Sequence, residues 1–335
     1  MLTTQWFTAM VNISDTAVQR RVWVAYSGGV DSHVLLDLAR HSFANITVIH
    51  INHGLSTLDE QWQQHCETVC AELGLSLQCV RVNCRVKPGQ SQENIARIAR
   101  RAVWRDILQN NDILLLGHHA DDQAETVLYR LLRGAGPKGL SGIKAKTKLG
   151  LGTLIRPLLS ISKKQILEYA QIHNLNWLQD QTNANNNFDR NYIRNAILPV
   201  MQQRWPAAIA NINRAAILCN NLHELTVNQT AAKLNNILLK DNILDLINLS
   251  KESQIWQYEI LRLWLSKFNI VPSLQQQETI FSEVINARID AQPEYFIAKK
   301  ILKRSNNKLY LLDNNISSNL RSTHGRKAKK IFQQY

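Results

Sequence analysis

Two periods of apolar residues alternate along the first two thirds of the chain. Short β-rich runs repeat, each followed by a stretch whose apolar positions recur every three or four residues, the signature of an amphipathic helix. Arg21–Tyr26, Asn45–Ile51, Ser76–Val82 and Asp112–Leu116 predict strands, while His33–Arg40, Leu58–Leu73, Gln90–Gln109 and Asp121–Arg133 predict the helices between them. Such alternation predicts an α/β fold, a mostly parallel, doubly wound sheet with right-handed crossovers and helices on both faces. Ligands of these sheets lie beyond the carboxyl ends of the strands. Past Trp205-Pro206 the period changes. Residues 208–288 read mainly as helices, with Ile255, Trp256, Ile260, Leu261 and Trp264 at helical spacing. Ile297–Leu302 and Lys308–Leu312 then flank Ser305-Asn306-Asn307, the pattern of a basic β-hairpin. The expected organisation is a catalytic domain over residues 1–206 and a smaller, mainly helical domain over 207–335, as 335 residues allow.

Composition narrows the partners. Apolar residues make up 45% and charged residues 19%, so the chain folds as a globule. No apolar run approaches the roughly 20 residues of a bilayer span, and the first 20 residues lack a basic segment followed by an apolar one. The expectation is a cytoplasmic protein with no membrane partner. The 39 Lys and Arg exceed the 26 Asp and Glu by 13, which favours a polyanion, and Lys299–Lys330 contains a single acid, Asp313. The five cysteines form no Cys-x-x-Cys pair, and Cys66 and Cys70 share a helical face with Trp62 and Leu73, a core pattern. No zinc or iron–sulfur site is expected; adjacent histidines such as His118 and His119 would point about 100° apart on a helix.

The chemistry concentrates in Ser27-Gly28-Gly29-Val30-Asp31-Ser32, between a strand and a helix. The glycines let the backbone approach an anion, and Ser27, Ser32 and the helix N-terminus can cradle phosphate. The loop lacks the lysine of a Walker A motif and the spacing of a dinucleotide fingerprint. It is similar to the SGGxDS loop of the N-type ATP pyrophosphatases, which split ATP between its α and β phosphates. Further motifs follow in order: His50-Ile51-Asn52-His53-Gly54-Leu55, Glu93-x-x-Ala96-Arg97-x-x-Arg100, Gly117-His118-His119-Ala120-Asp121-Asp122-Gln123-Ala124-Glu125-Thr126, Leu132-Arg133-Gly134, Gly139-Leu140-Ser141-Gly142, Arg156-Pro157-Leu158, Asp180-x-x-Asn183 and Arg190-Asn191-x-Ile193-Arg194. Together, from about Val22 to Pro206, they resemble the tRNA(Ile)-lysidine synthase family.

That resemblance implies an ATP-dependent ligase that adenylates C2 of the anticodon wobble cytidine of tRNA(Ile) with a CAU anticodon, L-lysine then displacing AMP to form lysidine. It implies ATP at Ser27, Gly28, Gly29, Val30, Asp31 and Ser32, with Mg²⁺ held through Asp31. His118, Asp122 and Glu125, at i, i+4 and i+7, are expected on one helix face bordering the site; carboxylates there can hold a lysine ammonium or Mg²⁺. Arg97 and Arg100 are placed by the resemblance near the nucleotide or the RNA. Arg190 and Arg194 match its second basic motif, Arg190 as the group neutralising charge that develops during adenylation. A homodimer is left open. Which residue deprotonates the lysine amine stays open as well.

The chain departs from the family pattern at Ser56, where many members carry Arg, and at Arg101, where many carry Tyr. Longer members have a further C-terminal domain, so tRNA is expected to be held mainly by residues 215–335. A tRNA thiolase, a small-molecule amidating synthetase and a catalytically silent RNA-binding protein are the competing readings. The first lacks its Cys-x-x-Cys, the second lacks a glutaminase domain, and the third has no need of intact Ser27–Ser32 and His118–Glu125.

Overall fold

The computed structural model describes residues 2–12, 20–54, 59–84, 92–179, 186–288 and 291–314. Leu55, Ser56, the Asp180-x-x-Asn183 motif and the basic segment from residue 315 onward lie outside the described residues. The chain divides into two compact units, Met1–Leu222 and His223–Tyr335.

The first unit runs α1 (Thr4–Val11), β1 (Val22–Ala25), α2 (Val30–Ser42), β2 (Ile46–Asn52), α3 (Asp59–Glu72), β3 (Ser76–Arg81), α4 (Gln92–Ile107), β4 (Ile113–Leu115), α5 (Ala120–Leu132), α6 (Pro137–Leu140), β5 (Lys146–Leu149), β6 (Gly152–Ile155), α7 (Lys163–Ile172), α8 (Asp189–Tyr192) and α9 (Leu198–Arg204). Its sheet has the order β3-β2-β1-β4-β6-β5, parallel throughout except for β5. The predicted doubly wound sheet is therefore present. Alternation along β1 explains its two covered faces. Val22 and Val24 join α2 and Tyr169 in one core, whereas Trp23 packs with Ile49, Leu114 and Trp104 in another. Strand order reverses between β1 and β4: β2 lies to one side of this pair and β6 to the other, which opens a crevice at their carboxyl ends.

Three features differ from the expectation. The chain also forms α1 and a β5–β6 hairpin turning at Gly150-Leu151, with Gly150 at φ 57°. A π turn, Ile193–Ile197, separates α8 from α9, and Leu198 N–H donates to the Ile193 carbonyl. Pro199 cannot donate to the Asn195 carbonyl, and its ring crowds that group, so the wider turn replaces a regular one.

The second unit is less purely helical than its periodicity suggests. After α10 (Ala208–Ile237) come β7 (Leu238–Lys240), β8 (Ile243–Asp245), α11 (Leu246–Ser250), α12 (Gln254–Ser266), α13 (Leu274–Thr279), a π turn (Ile280–Ile285), β9 (Glu294–Ile297), β10 (Lys300–Ser305) and β11 (Lys308–Asp313). The strands form an antiparallel sheet ordered β7-β8-β11-β10-β9 around a core centred on Trp264. The predicted hairpin is β10–β11. The run Ile297–Leu302 is broken at Ala298 and Lys299, both at positive φ, which make a tight turn from β9 into β10. Buried Arg304 donates to the carbonyls of Ile285 and Ala287 at 2.7 and 2.6 Å and so anchors the hairpin to the end of the π turn. Lys300 pairs with Asp313 and Lys303 with Glu294, so part of the hairpin's basic character is neutralised locally.

Candidate active site

The Ser27–Ser32 loop leaves β1 and enters α2 at the crevice between β1 and β4. Gly28 sits at φ 81°, and a Cβ there would come 3.2 Å from the Trp62 ring, so both conformation and space call for glycine. The loop is braced from within. Ser27 N–H donates to Ser32 Oγ at 3.1 Å, Ser32 Oγ donates to the Gly29 carbonyl at 2.9 Å, and Leu178 N–H reaches the Gly28 carbonyl at 3.0 Å. Val30 and Asp31 open α2 after Gly29, whose own side provides no cap, so the N–H groups and dipole of the first turn face the crevice. The loop after β4 closes against this one. A Cβ on Gly117 would stand 3.0 Å from the Asp31 carbonyl oxygen.

His118 does not open the helix, as the spacing suggested; α5 begins at Ala120, with His119 as its N-cap. His119 Nδ1 accepts from Asp121 N–H at 3.2 Å, while Asp122 Oδ2 accepts from His119 N–H at 2.9 Å, a reciprocal capping box. With Nδ1 accepting, the imidazole proton sits on Nε2, 3.6 Å from Asp31 Oδ1 and 3.5 Å from Asp122 Oδ2. Burial works to lower the His119 pKa, but the neighbouring Asp121 carboxylate and the charges of Asp122 and Asp31 outweigh it and leave the pKa raised. One turn on, Glu125 is 2% exposed. Arg194, from the π turn, grips it through both carboxylate oxygens at 2.6 and 2.9 Å and reaches Asp122 Oδ1 at 3.3 Å. Burial raises the Glu125 pKa against the pull of Arg194.

The structure thus brings Ser27–Ser32, Asp122, Glu125 and Arg194 around one crevice. Arg190 pairs with Glu93 at 2.9 Å. Arg97 is exposed and donates to Asn94, whereas Arg100 is half-buried and lies over the Trp104 ring at 5.0 Å. Burial and the neighbouring Arg97 lower the Arg100 pKa; burial, Arg101 and Arg100 lower that of Arg156 to about 10. The buried His118 imidazole is pushed down to about 4, by desolvation first and then by Arg156 and Arg100, against the pull of Asp122. Such a depressed base stabilises the fold above its unfolded value of 6.5 and loses that contribution as pH falls towards 4. Melting temperature, measured by calorimetry, should therefore fall between pH 6.5 and 4, and His118→Gln should flatten that fall.

Sequence reasoning missed Lys163, the first residue of α7. Its ammonium lies 2.6 Å from Asp31 Oδ1 and its N–H donates to Asp121 at 2.9 Å. The signal was the capping box Ser162–Gln165 opening a helix soon after Arg156-Pro157-Leu158. Buried Asp37 was missed too; it binds Arg40 and the Tyr169 hydroxyl and ties α2 to α7. Among the described residues no group of three or more His, Cys, Asp or Glu side chains is arranged to hold a metal ion. A lone carboxylate at a phosphate loop fits Mg²⁺, which completes its shell with phosphate oxygens and water.

The doubly wound sheet with its Ser-Gly-Gly-x-Asp-Ser loop at the switch point defines a PP-loop protein, and the PP-loop domain model matches residues 2–201. The TilS substrate binding domain model matches residues 244–310. A tRNA(Ile)-lysidine synthase of Coxiella burnetii is 39% identical over 293 residues, 86% of this chain and 65% of that one. Those of Vibrio vulnificus and Pseudomonas putida are 37% and 38% identical, over 88% and 90% of this chain and 69% and 73% of theirs. The chain belongs to the tRNA(Ile)-lysidine synthase family, and it spans about two thirds of the length of these relatives. The U34-tRNA thiolase NcsA from Methanococcus maripaludis, solved with its [4Fe-4S] cluster, shares the fold: TM-score 0.52 at 17% identity, over 64% of this chain and 76% of that one.

Proposed function

We propose that this protein ligates L-lysine to C2 of the wobble cytidine in a tRNA(Ile) with a CAU anticodon, consuming ATP and releasing AMP and pyrophosphate. The observation that carries the reading is the convergence, at one crevice, of a pyrophosphate-type loop and a pair of carboxylates held by Arg194. In the first step the cytosine O2 attacks the α-phosphorus of ATP and pyrophosphate leaves; in the second the lysine amine attacks C2 and AMP leaves. The Ser27–Ser32 loop and the start of α2 bind the phosphates, and Asp31 holds Mg²⁺. Mg²⁺ supplies charge neutralisation at the phosphates. Asp122 and Glu125 provide the negative field that orients the lysine ammonium, and Arg194 sets their geometry. Residues 207–335 bind the tRNA, with affinity that falls as salt rises, and the target base leaves its stack to reach the crevice. The protein acts in the cytoplasm; among the described residues no helix is long and apolar enough to cross a membrane.

The thiols of α3 and β3 are ill-suited to sulfur transfer. Burial raises the pKa of Cys66, Cys70 and Cys79, which holds them as unreactive thiols, with Cys70 pushed up to about 12. The deciding experiment mixes the protein with ATP, Mg²⁺, lysine and unmodified tRNA(Ile) and analyses the nucleosides by mass spectrometry. A cytidine heavier by one lysine less one water, absent without ATP, is expected. Unmodified cytidine on bound tRNA would overturn the proposal.

A further inference from the structure

We infer that Lys163 is a catalytic residue of the adenylation step: its ammonium, paired with Asp31, transfers to the departing pyrophosphate. The inference rests on the reading above. It starts from an asymmetry of the phosphate loop. Ser27–Ser32 has backbone donors, two hydroxyls and a carboxylate, but no cation of its own. Nucleotide loops that carry their own lysine use it to meet the charge of the terminal phosphates. Here the fold imports one from 132 residues away: Lys163 Nζ sits 2.6 Å from Asp31 Oδ1, at the second residue of α2.

The side chain is delivered by a rigid mount. Lys163 opens α7 beneath a Ser162–Gln165 capping box, and its own N–H is tied to Asp121 Oδ2 at 2.9 Å, while the Ala120 N–H donates to the Ile161 carbonyl at 2.8 Å. The start of α7 is thereby locked to the start of α5, the helix that carries Asp122 and Glu125. Only the four-carbon stem is left to move. The two side chains remain about one-third exposed, 35% for Lys163 and 31% for Asp31, so an incoming nucleotide reaches them. The His119 imidazole also lies near Asp31 Oδ1, at 3.6 Å, but its Nδ1 is committed to the cap.

Chemistry then sets the exchange. A carboxylate that takes up Mg²⁺ no longer needs an ammonium partner, and the released ammonium faces phosphate oxygens that grow more negative as pyrophosphate departs. When the cytosine O2–phosphorus bond forms, the phosphorus–oxygen bond to the β-phosphate breaks and its electron pair stays on the bridging oxygen. Lys163 Nζ donates a hydrogen bond to that leaving group. The contact is stronger in the transition state than in the ground state, so it acts on turnover rather than on ATP binding.

The test compares wild type with Lys163→Met and Lys163→Arg in two measurements on the whole chain. Pyrophosphate release in the presence of tRNA(Ile) and lysine should fall about 10²–10³-fold in Lys163→Met, with the KM for ATP within threefold, and Lys163→Arg should recover most of the loss. Binding of a fluorescent ATP analogue, titrated with Mg²⁺, should reach half-saturation at about two- to fivefold lower Mg²⁺ in Lys163→Met, because the ammonium no longer competes for Asp31. A purely structural lysine would give the opposite: weaker Mg²⁺ dependence is not expected of a damaged site. Turnover within threefold of wild type, an unchanged or higher Mg²⁺ requirement, or an arginine variant as poor as the methionine one would overturn the inference. The binding arm needs no turnover, so a wild type that makes no lysidine sinks the functional reading while the Mg²⁺ titration still judges Lys163.

Discussion

Asp31→Asn should reduce lysidine formation by about 10³-fold or more, the largest loss expected of any single substitution in this site. The amide keeps the size of the carboxylate and can still face Lys163, but it gives up the negative charge that holds Mg²⁺ at the phosphates. The Lys163 ammonium left beside it then repels the metal from the crevice. Because the Asp31 side chain is 31% exposed, the same variant should melt within a few degrees of wild type. Single-turnover pyrophosphate release, read beside a calorimetric scan, separates the two effects. Activity within tenfold of wild type would remove Asp31 from the mechanism.

Arg194→Met should cost both stability and turnover. It strands the Glu125 carboxylate, 2% exposed, without the guanidinium that meets both of its oxygens. Removing one partner of a fully buried pair costs about 3–5 kcal/mol; with Arg194 38% exposed, about 2–3 kcal/mol is the appropriate scale. For a unit of this size that is a fall of roughly 5–10 °C in Tm. The pH dependence has a definite sign. Burial already raises the Glu125 pKa, and loss of Arg194 raises it further. A carboxyl whose folded pKa is raised favours the fold while protonated, fully so below its unfolded value of 4.5, and loses that contribution as pH rises through the folded value. The deficit relative to wild type should therefore be smallest below pH 4.5 and should grow as pH rises above it. A deficit that grows on acidification would show that Glu125 is not the stranded group. Arg190→Met, whose partner Glu93 is half exposed, should cost little stability, which makes it the natural control.

Much of this architecture could be read from residue order, for reasons that differ by element. Strands buried on both faces are strings of Val, Ile and Leu, and Val22–Ala25 and Ile113–Leu115 announce themselves that way. The phosphate loop is legible because few backbones other than glycine tolerate φ 81° against the Trp62 ring. The strands β7 and β8, with three residues each, are too short for alternation to register, and β9 merges with β10 unless the positive φ of Ala298 and Lys299 is known. Spacing alone misplaced His118, since a helix start depends on which residue caps it, and two adjacent histidines look alike in sequence. Lys163 and Asp37 escaped for a deeper reason. Each acts through a partner more than a hundred positions away, Asp31 and Tyr169, and no local period encodes such a pairing.

Asp122 is shared between two tasks that are usually kept apart. One of its oxygens terminates the backbone at the head of α5, and the other faces Arg194. The carboxylate therefore cannot swing to follow a ligand without giving up the helix cap, so the position of negative charge in the crevice is tied to the start of α5. An alanine here would blur where the helix begins, and with it the place from which Glu125 projects. An asparagine whose side-chain oxygen still takes the His119 N–H would preserve the scaffold and remove only the charge, turning a compound defect into a clean one.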